Sequence, residues 1–158
     1  MNNIKINNFK KNNYMEVKFK AVSENEGFAR ACVANFCLPL DPTIDDLNDV
    51  KTAVSEAVTN CVVHAYPNHD GEVVIRAEIK DGILKISISD EGVGIADFKK
   101  AREPFYTSRP DEERSGMGFT IMESFMDSLE LEKNGEKGVK VTLVKKIGKE
   151  NALMEERC

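Results

Sequence analysis

The chain lacks tryptophan altogether and holds only 5 prolines and 10 glycines in 158 residues, which excludes a collagen-like or low-complexity composition. It also lacks any apolar run approaching the roughly 18 residues that a membrane span needs. Its N-terminus has no apolar core followed by a small-residue cleavage site, so it does not read as a secretory signal and a cytoplasmic placement is expected. A basic surplus is missing as well: 22 Lys and Arg face 27 Asp and Glu, for a net charge of −5. Phosphate backbones are bound by clustered cations, so direct nucleic-acid binding is disfavoured, and a protein or small-molecule partner is expected. The four cysteines (Cys32, Cys37, Cys61, Cys158) have no CxxC spacing, and only His64 and His69 could complete a metal site. Reduced thiols are expected, the first three packed in a core and Cys158 on a charged tail.

What is present is ordinary globular material, 41% hydrophobic and 31% charged, in a length that suits one domain burying roughly 70% of its unfolded surface. Residues 1–13 are rich in Asn and Lys and read as a flexible leader, with Met15 an alternative start. A single domain is expected over 14–147, followed by a charged tail at 148–158.

Glu16 to Ala21 alternates as a strand, and Ser23 with Glu26 reads as a capping box opening a helix with Phe28, Ala31, Cys32 and Phe36. Asp41-Pro42 reads as the start of a long helix in which Leu47, Val50, Val54, Ala57, Val58 and Cys61 recur at helical spacing up to about Ala65. Val73 to Lys80 and Ile83 to Asp90 alternate around Asp81-Gly82, a two-residue hairpin turn. The polar stretch from Ala101 to Ser115, broken by Pro104 and Pro110, has the makings of a lid. A helix from Gly118 to about Asp127 carries Phe119, Met122 and Met126, and Ser128 to Lys133 pairs with Val139 to Ile147 across Asn134-Gly135. Hairpins segregated from helices predict an α+β two-layer sandwich: a mixed, mostly antiparallel sheet with helices on one face.

Three constellations could carry chemistry. Glu56 and Asn60 lie one helical turn apart, roughly 6 Å along one face of the long helix, about 200 to 240° from the stripe of Val54, Val58 and Cys61. Spacing alone favours a surface pair over a site, and His64 beside them reads as a packed or hydrogen-bonded histidine rather than a catalyst. After the hairpin, Asp90-Glu91-Gly92-Val93-Gly94 sets an acidic group at a strand end and glycines that permit close backbone approach to a flat ligand. Ser115-Gly116-Met117-Gly118 opens a helix, where unpaired N–H groups and the dipole favour an anion. No dinucleotide fingerprint or GxxxxGK[ST] phosphate loop occurs.

In that order, ExxxN on a helix, DxGxG after a hairpin, then GxG opening a helix beyond a polar stretch, the chain resembles the GHKL or Bergerat-fold ATPases and kinases from about Glu16 to Ile147. Within that superfamily SENEGFAR at 23–30, SEAVTNCVVHAY at 55–66, SDEGVGI at 89–95 and ERSGMGFTIMESFMD at 113–127 are similar to the SpoIIAB-type anti-sigma factor serine kinases of endospore-forming bacteria. The resemblance implies ATP and Mg²⁺ as cofactors, Glu56 as general base, Asn60 as the Mg²⁺ ligand and Asp90 as the reader of the adenine amine. It implies nucleotide contacts from Gly92, Gly94, Arg109, Arg114, Ser115, Gly116, Met117, Gly118, Phe119 and Thr120, with Arg30 binding both protein partners. Those partners would be a sporulation sigma factor and an anti-anti-sigma factor that accepts phosphate on a serine, and the kinase would be a homodimer. One departure is Val139-Lys140, where relatives place hydroxyl residues that could reach adenine.

Phosphoryl transfer needs positioning, neutralisation of charge and a carboxylate to orient or deprotonate the attacking hydroxyl, which Glu56 can supply. Nothing in the chain resembles the phospho-acceptor helices of a histidine kinase, so the acceptor is expected to be another protein. Two alternatives share the ATP site: a non-catalytic switch that sequesters a sigma factor, and the related stress-response anti-sigma kinase. Glu56 beside Asn60 speaks against the first, and the SGMGFTIMESFMD segment against the second.

Overall fold

Successive strand residues point to opposite faces, so Val73, Ile75, Ala77 and Ile79 share a side with Leu84, Ile86 and Ile88. The computed structural model, which describes residues 12–104 and 117–148, pairs them directly as Ile75 with Ile88, Ala77 with Ile86 and Ile79 with Leu84. Five strands form the sheet: β1 (Asn13–Lys20), β2 (Glu72–Lys80), β3 (Ile83–Asp90), β4 (Ser128–Asn134) and β5 (Gly138–Lys146). Their order is β1-β2-β3-β5-β4, and every pairing is antiparallel rather than mixed. The β2–β3 turn has Asp81 at φ 53° and Gly82 at φ 78°, the double left-handed conformation of a type I′ turn.

The helices are α1 (Glu26–Phe36), α2 (Ile44–Asn60), the short α3 (Phe98–Ala101) and α4 (Gly118–Phe125). α2 packs between α1 and α4. Its buried Val50, Ala53, Val54, Ala57 and Val58 share one core with Ile75, Ile86, Ile88 and Leu143. Each large side chain so buried contributes about 1.5–3 kcal/mol. The opposite sheet face carries a polar row, Glu16, Arg76, Ser87, Thr142 and Glu130, each paired with the next across the strands. That polarity is why, among the described residues, helices cover one face only. Among the described residues no helix is long and apolar enough to cross a membrane.

Several local expectations are corrected. The cap of α2 is Thr43, whose side chain accepts from the Asp46 N–H while Asp46 accepts from the Thr43 N–H, a complete capping box. Asp41 instead closes a 3₁₀ turn at Leu38–Leu40 with φ 52°, so Pro42 precedes the helix. Ser23–Asn25 is also a 3₁₀ turn, so the box expected from Ser23 and Glu26 does not form, and the Asn25 amide donates back to the Lys20 carbonyl at 2.9 Å. Beyond Asn60 the helix widens into a π turn at Cys61–Ala65. The last hairpin has a three-residue loop, because Asn134 stays in register with Gly138 while its Nδ2 donates to the Asp90 carbonyl at 2.8 Å. Asn13, expected in the leader, pairs with Ile79; Gly148, expected in the tail, is buried and donates its N–H to Asp46 Oδ2 at 3.2 Å.

Candidate functional site

The face of α2 and its π turn that carries Ala57, Asn60, Cys61, His64 and Ala65 forms one wall of a cleft of about 260 Å³. The opposing walls are Ile88 and Asp90 of β3, Val93 to Ala96 of the following loop, Ala101, Gly118 and Phe119 of α4, and Val139 and Val141 of β5. The cleft therefore opens beside the buried stripe of α2 and not opposite it: Ala57 and Cys61 belong to both.

Asp90 is the one buried carboxylate of this lining, 5% exposed, and it sits at the end of β3 where three elements converge. Its Oδ1 accepts from the Gly92 N–H at 2.9 Å and the Val139 N–H at 3.3 Å. Its Oδ2 accepts from the Cys61 thiol at 3.5 Å. Burial pushes the Asp90 carboxyl above its usual 3.8, opposed by these three hydrogen bonds, which favour the ionised form. Burial, and then the neighbouring carboxylate, push the Cys61 thiol well above its usual range, so it stays protonated and donates. Apolar walls around one oriented carboxylate suit a planar heteroaromatic ring bearing an amine donor.

The loop after β3 is held by close backbone approach. A Cβ on Gly92 would stand 2.2 Å from the Ala65 carbonyl oxygen, which itself accepts from the Val93 N–H at 2.9 Å. Gly94 adopts φ +81°, and a Cβ there would meet the Lys137 carbonyl at 2.0 Å. Tyr66 pins the other side: its hydroxyl donates to the Glu72 carbonyl at 2.7 Å and accepts from the Glu91 N–H at 2.8 Å.

Of the residues singled out from sequence, Asn60, Asp90, Gly94, Gly118 and Phe119 line the cleft, and Gly92 supports Asp90 from below through its N–H. Glu56 does not line it, but its Oε2 lies 3.4 Å from where a Cβ on Gly118 would be. Met117 and Thr120 flank Gly118 and Phe119 without lining the cleft. Arg30 stands apart on α1, exposed, with Nη1 donating to Ser55 Oγ at 3.2 Å. Arg109, Arg114, Ser115 and Gly116, most of the expected lid, and Cys158 lie outside the described residues. Sequence reasoning missed the Val139 N–H, Tyr66 and the thiol of Cys61, which it assigned to packing. For Cys61 the available signal was its position four residues after Ala57 and next to Asn60.

A family model described as the histidine kinase-like ATPase domain matches residues 19–145. The chain is 57% identical over 135 residues to the anti-sigma F factor of Clostridium acetobutylicum, covering 85% of this chain and 94% of that one. To the anti-sigma F factor of Caldanaerobacter subterraneus subsp. tengcongensis it is 54% identical, covering 87% and 96%, and to that of Bacillus velezensis 49%, covering 89% and 97%. The chain belongs to the anti-sigma F factor family of histidine kinase-like ATPase domains. The RsbU and RsbW domains of Rv1364c from Mycobacterium tuberculosis share the fold, with a TM-score of 0.62 at 20% identity over 85% of this chain and about a third (32%) of that one. Full-length ShkA in complex with AMPPNP does so with a TM-score of 0.54 at 18% identity, over 78% and 30%. The α+β architecture is the one these neighbours share.

Proposed function

We propose that the cleft binds Mg²⁺-ATP and that the protein both sequesters a sporulation sigma factor and phosphorylates a serine of an anti-anti-sigma factor. The observation that carries the nucleotide reading is Asp90, a buried carboxylate fixed by two backbone N–H groups at the end of an apolar cleft. Its ionised oxygen would accept from the adenine amine, and Ile88, Val93, Phe119 and Val141 would cover the ring faces.

The phosphates would then lie toward the start of α4, beside Glu56 and Asn60. Among the described residues no three His, Cys, Asp or Glu gather to hold a metal ion. The donor set still fits Mg²⁺, which takes one or two protein oxygens and completes its shell with nucleotide phosphates and water. Asn60 would be that protein ligand, and the ion when bound would neutralise charge on the transferring group. Glu56 would orient the acceptor hydroxyl and take its proton, while Gly118, lacking a side chain, leaves room between them. Arg30, exposed on α1 and outside the cleft, would contact both protein partners, and the working unit would be a cytoplasmic homodimer.

Labelled ATP with Mg²⁺ and the acceptor protein, followed by mapping of the modified residue, tests this. A phosphoserine on the acceptor supports it, and tight nucleotide-dependent sigma-factor binding without any transfer would leave the non-catalytic switch.

A further inference from the structure

Asp90 divides its hydrogen bonds unequally: both backbone N–H groups go to Oδ1, and Oδ2 receives only the Cys61 thiol among the described residues. Cys61 is 5% exposed, opens the π turn after α2 and lines the same cleft as Asp90. The side chain is thus neither idle packing nor a distant support. It holds the carboxylate oxygen left over from backbone anchoring.

We infer that Cys61 is a positioning residue for base selectivity: its S–H fixes Oδ2 of Asp90 at the angle from which that oxygen accepts an exocyclic amine of the bound base. This rests on the reading that Asp90 accepts from the adenine amine. A carboxylate oxygen has room for two donors, so the thiol on one side and the amine on the other can share Oδ2 without competing. A thiol is a weak donor, and removing it leaves the ionised oxygen with one partner fewer in a desolvated place, where its orientation matters most. The π turn after α2 carries both contacts. Cys61 and Ala65, four residues apart on its cleft side, hold Asp90 and the Val93 N–H respectively, so this one turn sets both ends of the loop.

The test compares binding of ATP and inosine triphosphate, which has a carbonyl in place of the amine, by calorimetry on the full chain and on Cys61→Ala and Cys61→Ser. Cys61→Ala should lose about fivefold in ATP affinity with inosine triphosphate unchanged, the size expected for one modest hydrogen bond. Cys61→Ser, which restores a donor, should recover most of the preference. If Cys61→Ala does not fold, Cys61→Val removes the donor while filling the space. Equal loss for both nucleotides, an intact preference, or no recovery in the serine variant overturns the inference. Wild-type protein that binds both nucleotides alike overturns the Asp90 reading, and this inference with it; a wild-type preference kept in full by the alanine variant overturns this inference alone.

Discussion

Gly118, the first residue of α4, faces Asn60 of α2 so closely that a Cβ would stand 3.4 Å from Asn60 Oδ1, and it would stand the same distance from Glu56 Oε2. The two polar side chains of α2 therefore converge on the start of α4, a helix N-terminus whose first N–H groups have no intrahelical acceptor. Spacing along α2 puts Glu56 and Asn60 on one face; the packing of α4 against α2 brings both to Gly118.

Asn60→Ala should accordingly lose Mg²⁺-ATP binding, because no other described side chain of that wall offers an uncharged oxygen at the same place. Ala57, Cys61 and Ala65 surround it with carbon and sulfur. Calorimetry with and without Mg²⁺ reads the effect. Unchanged affinity with unchanged metal dependence would remove Asn60 from the site.

Asp90 gives a pH-dependent prediction with two signs. Its folded-state carboxyl titrates above the usual 3.8, so the folded protein holds that proton more tightly than the unfolded chain does. The stability it contributes is full below 3.8 and is lost as pH rises through the raised folded value. Selectivity runs the other way, since only the ionised group is a pure acceptor. Preference for ATP over GTP should therefore fall as pH drops through the same interval. Asp90→Asn should flatten both dependences and reduce the ATP preference at neutral pH by roughly 5- to 150-fold. Competition between ATP and GTP over a pH series, beside denaturant melts, decides it.

Gly94→Ala should cost about 1–3 kcal/mol of stability, because φ +81° strains any L side chain and the new Cβ would strike the Lys137 carbonyl. The loss should appear in urea titration without nucleotide present. Wild-type stability in this variant would mean that the loop after β3 does not hold its left-handed turn in solution.

The sheet, the three main helices and the β2–β3 turn were legible because each writes a period or a dipeptide into the sequence. Period two in β2 and β3 needs no tertiary information, and Asp81-Gly82 suits two consecutive positive φ values. The cap of α2 misled: Asp41-Pro42 is as good a start signal as Thr43 with Asp46, and only the reciprocal hydrogen bonds choose between them. Ser23 was displaced for a related reason, since a 3₁₀ turn leaves no capping-box geometry. In the site, Asp90 and the glycines announced themselves by type and order. Cys61, Tyr66 and the Val139 N–H did not, because a thiol reads as core, a tyrosine after a helix has no fixed partner, and a backbone donor has no letter at all.

Arg30→Ala should weaken binding of both proposed protein partners while leaving nucleotide affinity unchanged. The guanidinium is exposed, and its bond to Ser55 Oγ at 3.2 Å is a surface contact worth about 1 kcal/mol or less. Ser55→Ala serves as the control, removing that contact but not the charge. Loss of nucleotide affinity in Arg30→Ala but not in Ser55→Ala would tie Arg30 to the cleft instead.

Glu56→Gln separates the kinase from the switch. The amide keeps the size and helical position of the side chain, so its place opposite Gly118 and the packing of α4 on α2 should survive, and with them ATP and sigma-factor binding. What disappears is the base. General-base assistance is typically worth about 10² to 10⁴ in rate, so single-turnover transfer to the acceptor serine should slow by that factor while binding isotherms overlay those of the wild type. A parallel loss of ATP affinity would instead make Glu56 part of the phosphate and metal environment. Transfer at the wild-type rate would show that another group takes the proton, and the carboxylate beside Gly118 would then have to be explained by the charge it places at the start of α4.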